Sequence, residues 1–230
     1  SLSFDGENDI VDMQSTSMDI GEGTFSFSAW INPRSFDNEN ANVINWLEEY
    51  LVGGGFGVEK CGDTENELCF AIIDGFAGGE FVRSNEIELN QLSHIVNTYD
   101  GSTMKFYVNG ELQNSKNYGF PAEYGPLKLQ GNLAIGNHYW EPNDSRRQWD
   151  GAIDEVAIWN KTLTAEEVAS LFNSGVGIDA LYDSEEYISS LNLKRYYKFN
   201  QGPDASNSEY LVDYSGSQNH GMINGATWIE

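Results

Sequence analysis

Asp154 and Glu155 stand side by side in GAIDEVAIWN (151–160), among Ile153, Val156, Ile158 and Trp159. Carboxylates set into an apolar strand need a partner, because an unpaired buried charge is costly. Three settings would supply one: a catalytic acid–base couple, a bound cation, or the wet edge of a sheet. Catalysis suits the spacing least. A retaining glycosidase needs two carboxylates roughly 5–5.5 Å apart across a sugar bond. Neighbours on a regular strand point to opposite faces, so Asp154 and Glu155 cannot form that pair together. The Glu-Glu pairs of WLEEYL (46–51) and DSEEYI (183–188) fail in the same way. Strand parity with Val156 and Ile158 turns Asp154 towards an apolar side and leaves Glu155 on the other face.

A second group could bind rather than react. The stretch NHYWEPNDSRRQW (137–149) carries Tyr139, Trp140, Asn143, Asp144, Arg146 and Arg147 between two strand-like runs. Loops in such positions display ligand-binding groups. Aromatic rings offer platforms for the C–H faces of sugars, and a few polar groups fix orientation. Trp46 and Tyr50, from INWLEEYL (44–51), could join them. Tyr139 and Trp140 fit packing as readily as binding, and Arg146 and Arg147 fit a salt-bridged surface pair. Trp30 and Trp159 lie within strands and suit a core. A lyase would want a Tyr or His base beside a cation, and Arg83, Arg146, His138 and Tyr139 could supply one. Nothing in the spacing requires it.

These groups must be positioned by short β-strands. In TFSFSAWINP (24–33), Phe25, Phe27, Ala29 and Ile31 alternate with Ser26, Ser28 and Trp30, a period of two. HIVNTYDGSTMKFYVNGELQ (94–113) places β-rich runs around Asp100-Gly101 and Asn109-Gly110, pairs that supply the positive φ of tight hairpins. NLAIGNHYW (132–140) and GAIDEVAIW read as two further strands. Helix is expected in NKTLTAEEVASLFNSG (160–175), with Thr164 and Glu167 as a capping box, Val168, Leu171 and Phe172 as an apolar stripe, and Gly175 as the stop. A second, weaker helix is expected in DSEEYISSLN (183–192). LKRYYKFNQG (193–202) and GATWIE (225–230) look like strands again. With no proline- or serine-rich linker, the chain reads as one all-β domain, residues 1–230, an antiparallel sandwich of two sheets with one or two short helices. Residues 194–230 are expected to fold back onto it, because Tyr196, Phe199 and Trp228 would otherwise be exposed.

Composition removes several partners. Twelve Lys+Arg against thirty-six Asp+Glu give a formal net charge of −24. Phosphate surfaces need clustered cations, so nucleic acid and membrane insertion are not expected. No stretch is long enough to span a bilayer as a helix. The first residue is Ser, which suggests a domain within a larger protein. Cys61 and Cys69, in EKCGDTENELCF (59–70), could face each other across a hairpin. Free thiols or half a zinc site are the alternatives, but no second Cys pair accompanies them and His94, His138 and His220 are scattered. The disulfide is favoured, and with it a secreted or cell-surface protein.

Several stretches resemble successive signatures of the laminin-G-like, concanavalin A-like jelly-roll domains of secreted bacterial proteins. They are LSFDGENDIVDM, FSFSAWINP, HIVNTYDGSTMKFYVNGEL, LAIGN and WDGAIDEVAIWNKTLTAEEVASLFNSG. The closing LKRYYKFNQG…GATW resembles a segment of the same family. Leu92 departs from it, standing where the family usually has Trp. The resemblance implies two facing antiparallel sheets, one concave and one convex, and a non-catalytic module for glycans or protein partners, usually part of an enzyme or adhesin. Glycosidases and polysaccharide lyases share the fold, but the Glu-x-Asp-x-x-Glu string of the related glucanases is absent here. The resemblance also implies a structural calcium between the first strand's loop and the penultimate strand. The matching positions are Asp5 and Asp154, with Asp9 as helper and backbone carbonyls completing about six to eight oxygens. Hydrogen bonds to Asp154, or pairing with Arg146 or Arg147, are the alternatives to calcium. The expected function is a glycan-binding module, with a polysaccharide-active enzyme or a protein-binding adhesion module as alternatives.

Overall fold

A computed structural model describes residues 1–20, 23–47, 54–62, 64–73, 79–120, 127–202 and 209–229. The chain forms β1 (Leu2–Asp5), β2 (Ile10–Met18), β3 (Phe25–Pro33), β4 (Asn42–Leu47), β5 (Gly55–Lys60) and β6 (Glu67–Ile73). It continues through β7 (Glu80–Glu86), β8 (Ser93–Tyr99), β9 (Thr103–Val108), β10 (Glu111–Asn117), β11 (Leu129–Ile135) and β12 (Asp150–Trp159). Helix α1 (Ala165–Phe172) follows, then β13 (Leu193–Tyr197), β14 (Tyr210–Leu211), β15 (Gly221–Asn224) and β16 (Thr227–Trp228). Two eight-stranded sheets result. One runs β10-β9-β8-β3-β12-β1-β16 with β13 also on β12; the other runs β14-β15-β2-β11-β4-β5-β6-β7. All the strand pairs are antiparallel.

The period-two pattern sets the layers. Phe25, Phe27, Ala29 and Ile31 of β3 enter the core between the sheets, where they meet Trp46, Phe56 and Phe70 from β4, β5 and β6. The other face of the first sheet is not exposed either. It carries a second apolar cluster in which Val96, Tyr107 and Trp159 pack under Val168 and Leu171 of α1. This is why Ser28 and His94 are buried: Ser28 Oγ lies 2.8 Å from His94 Nε2, and the imidazole packs against Trp30 and Phe172. Burial holds His94 down to about 3 and so keeps it neutral.

Local rules explain most of the joints. Asn109 (φ 51°) and Gly110 (φ 82°) make the tight β9–β10 turn that their sequence requires. Thr164 Oγ1 accepts from Glu167 N at 3.2 Å while the Glu167 carboxylate accepts from Thr164 N at 3.0 Å, a complete capping box. Such a cap contributes about 1 kcal/mol. The stop differs from expectation. The left-handed cap is Asn173 (φ 45°, ψ 52°), and Gly175 lies beyond it. Residues 183–192 hold no α-helix, only a 3-10 turn at Ser190–Asn192. They are anchored by Tyr187, whose hydroxyl accepts from Trp159 Nε1 at 2.9 Å and donates to Ala180 O at 2.8 Å, and by the buried Ser189, which bonds Glu167 and Lys161. Ile188 and Leu191 face solvent, so the stretch has no apolar stripe to bury. Leu92 is also exposed, and no core packing depends on the residue there.

The strand β12 holds the first sheet together. Its one edge pairs with β3; its other edge is shared, first by β1 (Leu2↔Ile153) and then by β13 (Val156↔Tyr197). At this seam the ladder bulges: Asp154 opposes Trp30, but Ala157 opposes Ser28. One extra residue enters β12, and Glu155 takes a left-handed φ of 47°. The bulge resets parity, so Ile153, Val156 and Ile158 all reach the inter-sheet core. Asp154 therefore does not turn inward; it sits across from Trp30 on the helix side, and Glu155 shares that side. The carboxyl-terminal segment supplies β13 and β16 to the first sheet and the β14–β15 hairpin to the second, where β15 pairs with β2. Cys61 and Cys69 are joined by a disulfide, Cα to Cα 5.2 Å, at the end of the β5–β6 hairpin.

Candidate functional site

The second sheet differs from the first in that no described element covers its outer face over β4, β5 and β6. On β5, Phe56 and Val58 point into the core while Gly57 and Glu59 point out; on β6, Phe70 and Ile72 point in while Cys69 and Ala71 point out. The small side chains at Gly57 and Ala71 leave a depression. Two clefts, of about 300 Å³ and about 470 Å³, share Glu59 and Ala71 and run across β4, β5, β6 and β7. The first is walled by His138, Trp140 and Arg147 from loop 136–149, the second by Phe81, Arg83 and the disulfide.

Asn45 fastens the loop to the sheet. Its Nδ2 donates to Asn137 O at 2.5 Å, and its Oδ1 accepts from Tyr139 N at 3.4 Å. Asn137 Nδ2 and Gln148 Nε2 then both donate to Pro142 O, at 3.2 and 3.1 Å, closing the loop on itself. Trp140 emerges 38% exposed, with Tyr139 against it edge-on at 4.9 Å between ring centroids. Arg147 stretches over the cleft, Nη1 3.4 Å from Glu59 Oε2 and Nη2 3.0 Å from Glu141 Oε2. Burial pushes the Glu59 carboxyl up, against the opposing pull of Arg147 and Asn42. Burial holds His138 below the usual imidazole range, with Arg147 acting in the same direction, so His138 is neutral near pH 7. The cleft thus combines an exposed indole, a shielded ion pair and uncharged hydrogen-bonding groups.

The structure brings Tyr139, Trp140 and Arg147 together at this rim. Asn143 and Arg146 stay exposed outside both clefts, and Arg146 is clamped on Asp144 by bonds of 3.0 and 2.8 Å. Trp46 is not a binding residue in this arrangement. Its side chain is wholly buried, with the Arg195 guanidinium 5.6 Å from its ring centroid. Strand parity in β4 sends Trp46 inward and Asn45 outward, which a sequence reading cannot decide without knowing which face is open. Tyr50 lies outside the described residues. The lyase set is dispersed: Arg83 is at the far cleft beside Phe81, and Arg146 is held on Asp144. Asn42, Asn45, Glu59 and Phe81 carried no expectation, and His138 carried one only as a lyase base. The alternation of small and large residues in GFGVEK (55–60) and LCFAII (68–73) was the available signal.

The three acids named for calcium do not fit a shared shell. Asp9 is buried, and its Oδ2 accepts from Asp5 N at 2.8 Å. Asp5 pairs in register with Asp150, whereas Asp154 lies past Leu2 at the other end of β1, where Ser1 Oγ donates to it at 3.0 Å. Four strand residues separate the two ends, roughly 13 Å at about 3.3 Å each. Among the described residues no group of three or more His, Cys, Asp or Glu is placed to hold a metal ion. No described helix is long and apolar enough to cross a membrane.

A laminin G-type family model, that of the concanavalin A-like lectin/glucanases superfamily, matches residues 5–169, most of the chain. The chain belongs to this superfamily. Among solved members of similar fold is a proposed carbohydrate-binding protein of Bacteroides ovatus, 20% identical with a TM-score of 0.66, covering 98% of this chain and 58% of that one. The heptameric SAP-like pentraxin of Limulus polyphemus is 14% identical with a TM-score of 0.58, covering 97% and 93%. Domain 4 of AbnA, an extracellular GH43 arabinanase of Geobacillus stearothermophilus solved with arabinotriose, is 18% identical with a TM-score of 0.51, covering 73% of each chain. At these identities the likeness is one of fold. In sequence, 94 residues are 34% identical to adhesion G-protein coupled receptor D1 of Homo sapiens, covering 40% of this chain and 10% of the receptor. This superfamily domain thus spans about a tenth of that curated relative.

Proposed function

We propose that this domain is a non-catalytic binding module of an exported protein, and that it holds carbohydrate on the uncovered face of its second sheet. One observation carries the reading: an exposed Trp140 stands over a floor of Gly57 and Ala71, with Asn42, Glu59, His138 and Arg147 converging beside it. An indole face and a few shielded polar groups above a flat apolar floor suit a sugar ring. The continuity of the two clefts suits a chain of sugar units lying across the strands. Glu59 is the one carboxylate lining the nearer cleft among the described residues, while a glycosidase needs two. The arabinotriose complex of the arabinanase domain supports a saccharide ligand for this fold, and the disulfide supports export. The test is a polysaccharide and glycan array. At least one hit is expected, lost on Trp140→Ala while the melting temperature stays unchanged; hits indifferent to Trp140→Ala would place the ligand elsewhere.

A further inference from the structure

The seam in β12 creates a second concavity on the opposite side of the sandwich. A cleft of about 270 Å³ lies where β12, β13 and the segment after α1 meet, lined by Trp30, Glu155, Gly177, Asp179, Tyr196 and Lys198 among others. The bulge builds it. On an unbroken strand Glu155 would face away from Trp30; the extra residue and its left-handed φ bring it to the same side. Bulges re-aim side chains in this way, and a non-glycine residue in that conformation costs of order 1–3 kcal/mol. The Tyr196 hydroxyl donates to Glu155 Oε2, and Lys198 Nζ reaches Asp179 Oδ2 at 2.6 Å while lying 5.5 Å from the Tyr196 ring centroid.

Trp30 gives the cleft an unanswered donor. Nine-tenths of the residue is buried, one side packed on Phe172 at 5.9 Å and on His94 at 4.9 Å. Its Nε1–H meets no acceptor among the described residues and lies 3.5 Å from where a Cβ would stand on Gly177, another wall residue. Gly177 stands at φ 72°, a conformation that favours glycine, and without a side chain there the indole edge stays open. We propose that this seam cleft is a second ligand site, for a single neutral, polyhydroxylated ring such as one sugar residue. The lining mixes donors (Trp30 Nε1, Lys198 Nζ, the Asn200 amide) with acceptors (Glu155, Asp179), which matches hydroxyls that both give and take hydrogen bonds. A cationic ligand meets Lys198, and an anionic one meets Asp179 and Glu155. The volume falls just below the roughly 300–1,000 Å³ of sites for larger ligands, so one ring fills it. Burial also pushes Glu155 up to about 7, which lets its carboxyl act as donor or acceptor near neutrality. This site shares no residue with the uncovered face, so the domain is bivalent.

The test is an amide and indole NMR titration of the whole domain with a panel of neutral pyranoses and furanoses, an alkyl ammonium and a simple carboxylate. Trp30→Phe assigns the Trp30 indole resonance. At least one neutral sugar is expected to shift that resonance, and to do so equally in Trp140→Ala. Val176→Trp fills the cleft mouth from an exposed position and should weaken the effect roughly tenfold or more, about 1.4 kcal/mol. The proposal is overturned if no neutral sugar moves the Trp30 signal, if only the ammonium or carboxylate does, or if Val176→Trp leaves the affinity unchanged. Failure of the uncovered-face reading registers separately, as an empty array or as hits untouched by Trp140→Ala.

Discussion

The two outer faces of this sandwich carry polar chemistry by different means. On the second sheet no described element lies over β4, β5 and β6, so alternate residues of these strands are displayed directly, and Asn45, Gly57, Glu59 and Ala71 become a floor. On the first sheet a helix and its flanking turns cover the same kind of surface, and alternation there buries Ser28, His94 and Trp159. Near α1, polar groups reach a cleft where the ladder breaks, at Asp154 and Glu155. Display by pleat rests on the alternation of β5 and β6, which pair in unbroken register from Gly55–Ile73 to Lys60–Leu68; display by bulge costs local strain at Glu155.

The largest effect expected from this contrast concerns two tryptophans of β4 and the rim loop. Trp46→Ala should lower unfolding free energy by about 3–5 kcal/mol in urea denaturation, because a filled core position is emptied. Trp140→Ala should stay within about 0.5 kcal/mol of wild type by the same measurement. Equal losses would mean that the rim loop is itself part of the core. Replacing Cys61 and Cys69 by Ser should come next, at about 2–3 kcal/mol in the chain-entropy account. A midpoint indifferent to the replacement would show that the β5–β6 ladder alone holds the far rim.

Proton linkage separates the faces further. His94 is held at about 3 against an ordinary 6.5, so the stability it contributes is full above about pH 6.5 and lost as pH falls towards 3. Glu155 is raised to about 7 from an ordinary 4.5, so its contribution is full below about pH 4.5 and lost as pH rises through 7. Between about 4.5 and 6.5 the two slopes oppose each other, each about 1.4 kcal/mol per pH unit. In Glu155→Gln the His94 slope is no longer opposed by Glu155. Its stability should rise by about 1.4 kcal/mol from pH 5 to 6 relative to wild type, as read from urea midpoints at the two values. Parallel pH profiles for the two proteins would mean that Glu155 is solvated rather than enclosed.

Much of the fold was legible because it rests on local rules. The alternation in FSFSAWINP, the Asn109-Gly110 turn, the Thr164–Glu167 box and the Cys61–Cys69 hairpin each specify geometry over a few residues. The binding loop was legible in part. Tyr139, Trp140 and Arg147 meet at one rim, but Trp46 belongs to the core, because alternation separates two faces without saying which one is covered. The acids of GAIDEVAIWN were misread for a different reason. Parity arguments assume an unbroken pleat, and no residue in that stretch announces a bulge; Glu155 carries its positive φ without the glycine that would mark it. The cause lies at the seam between β1 and β13, which are far apart in sequence. The same distance defeated the calcium set, since register places Asp5 opposite Asp150 and not near Asp154.

The shared edge of β12 also fixes an order of events in folding. The β8–β9–β10 meander closes through short turns, and such hairpins form in roughly 1–10 μs. Leu2 has no strand partner until Ile153 of β12 is in place, at a separation for which loop-closure entropy must be met before any contact rewards it. Folding is therefore slow for the size of the chain and gated by the docking of β1 on β12. During synthesis, β1 waits, unpaired, until β12 has been made.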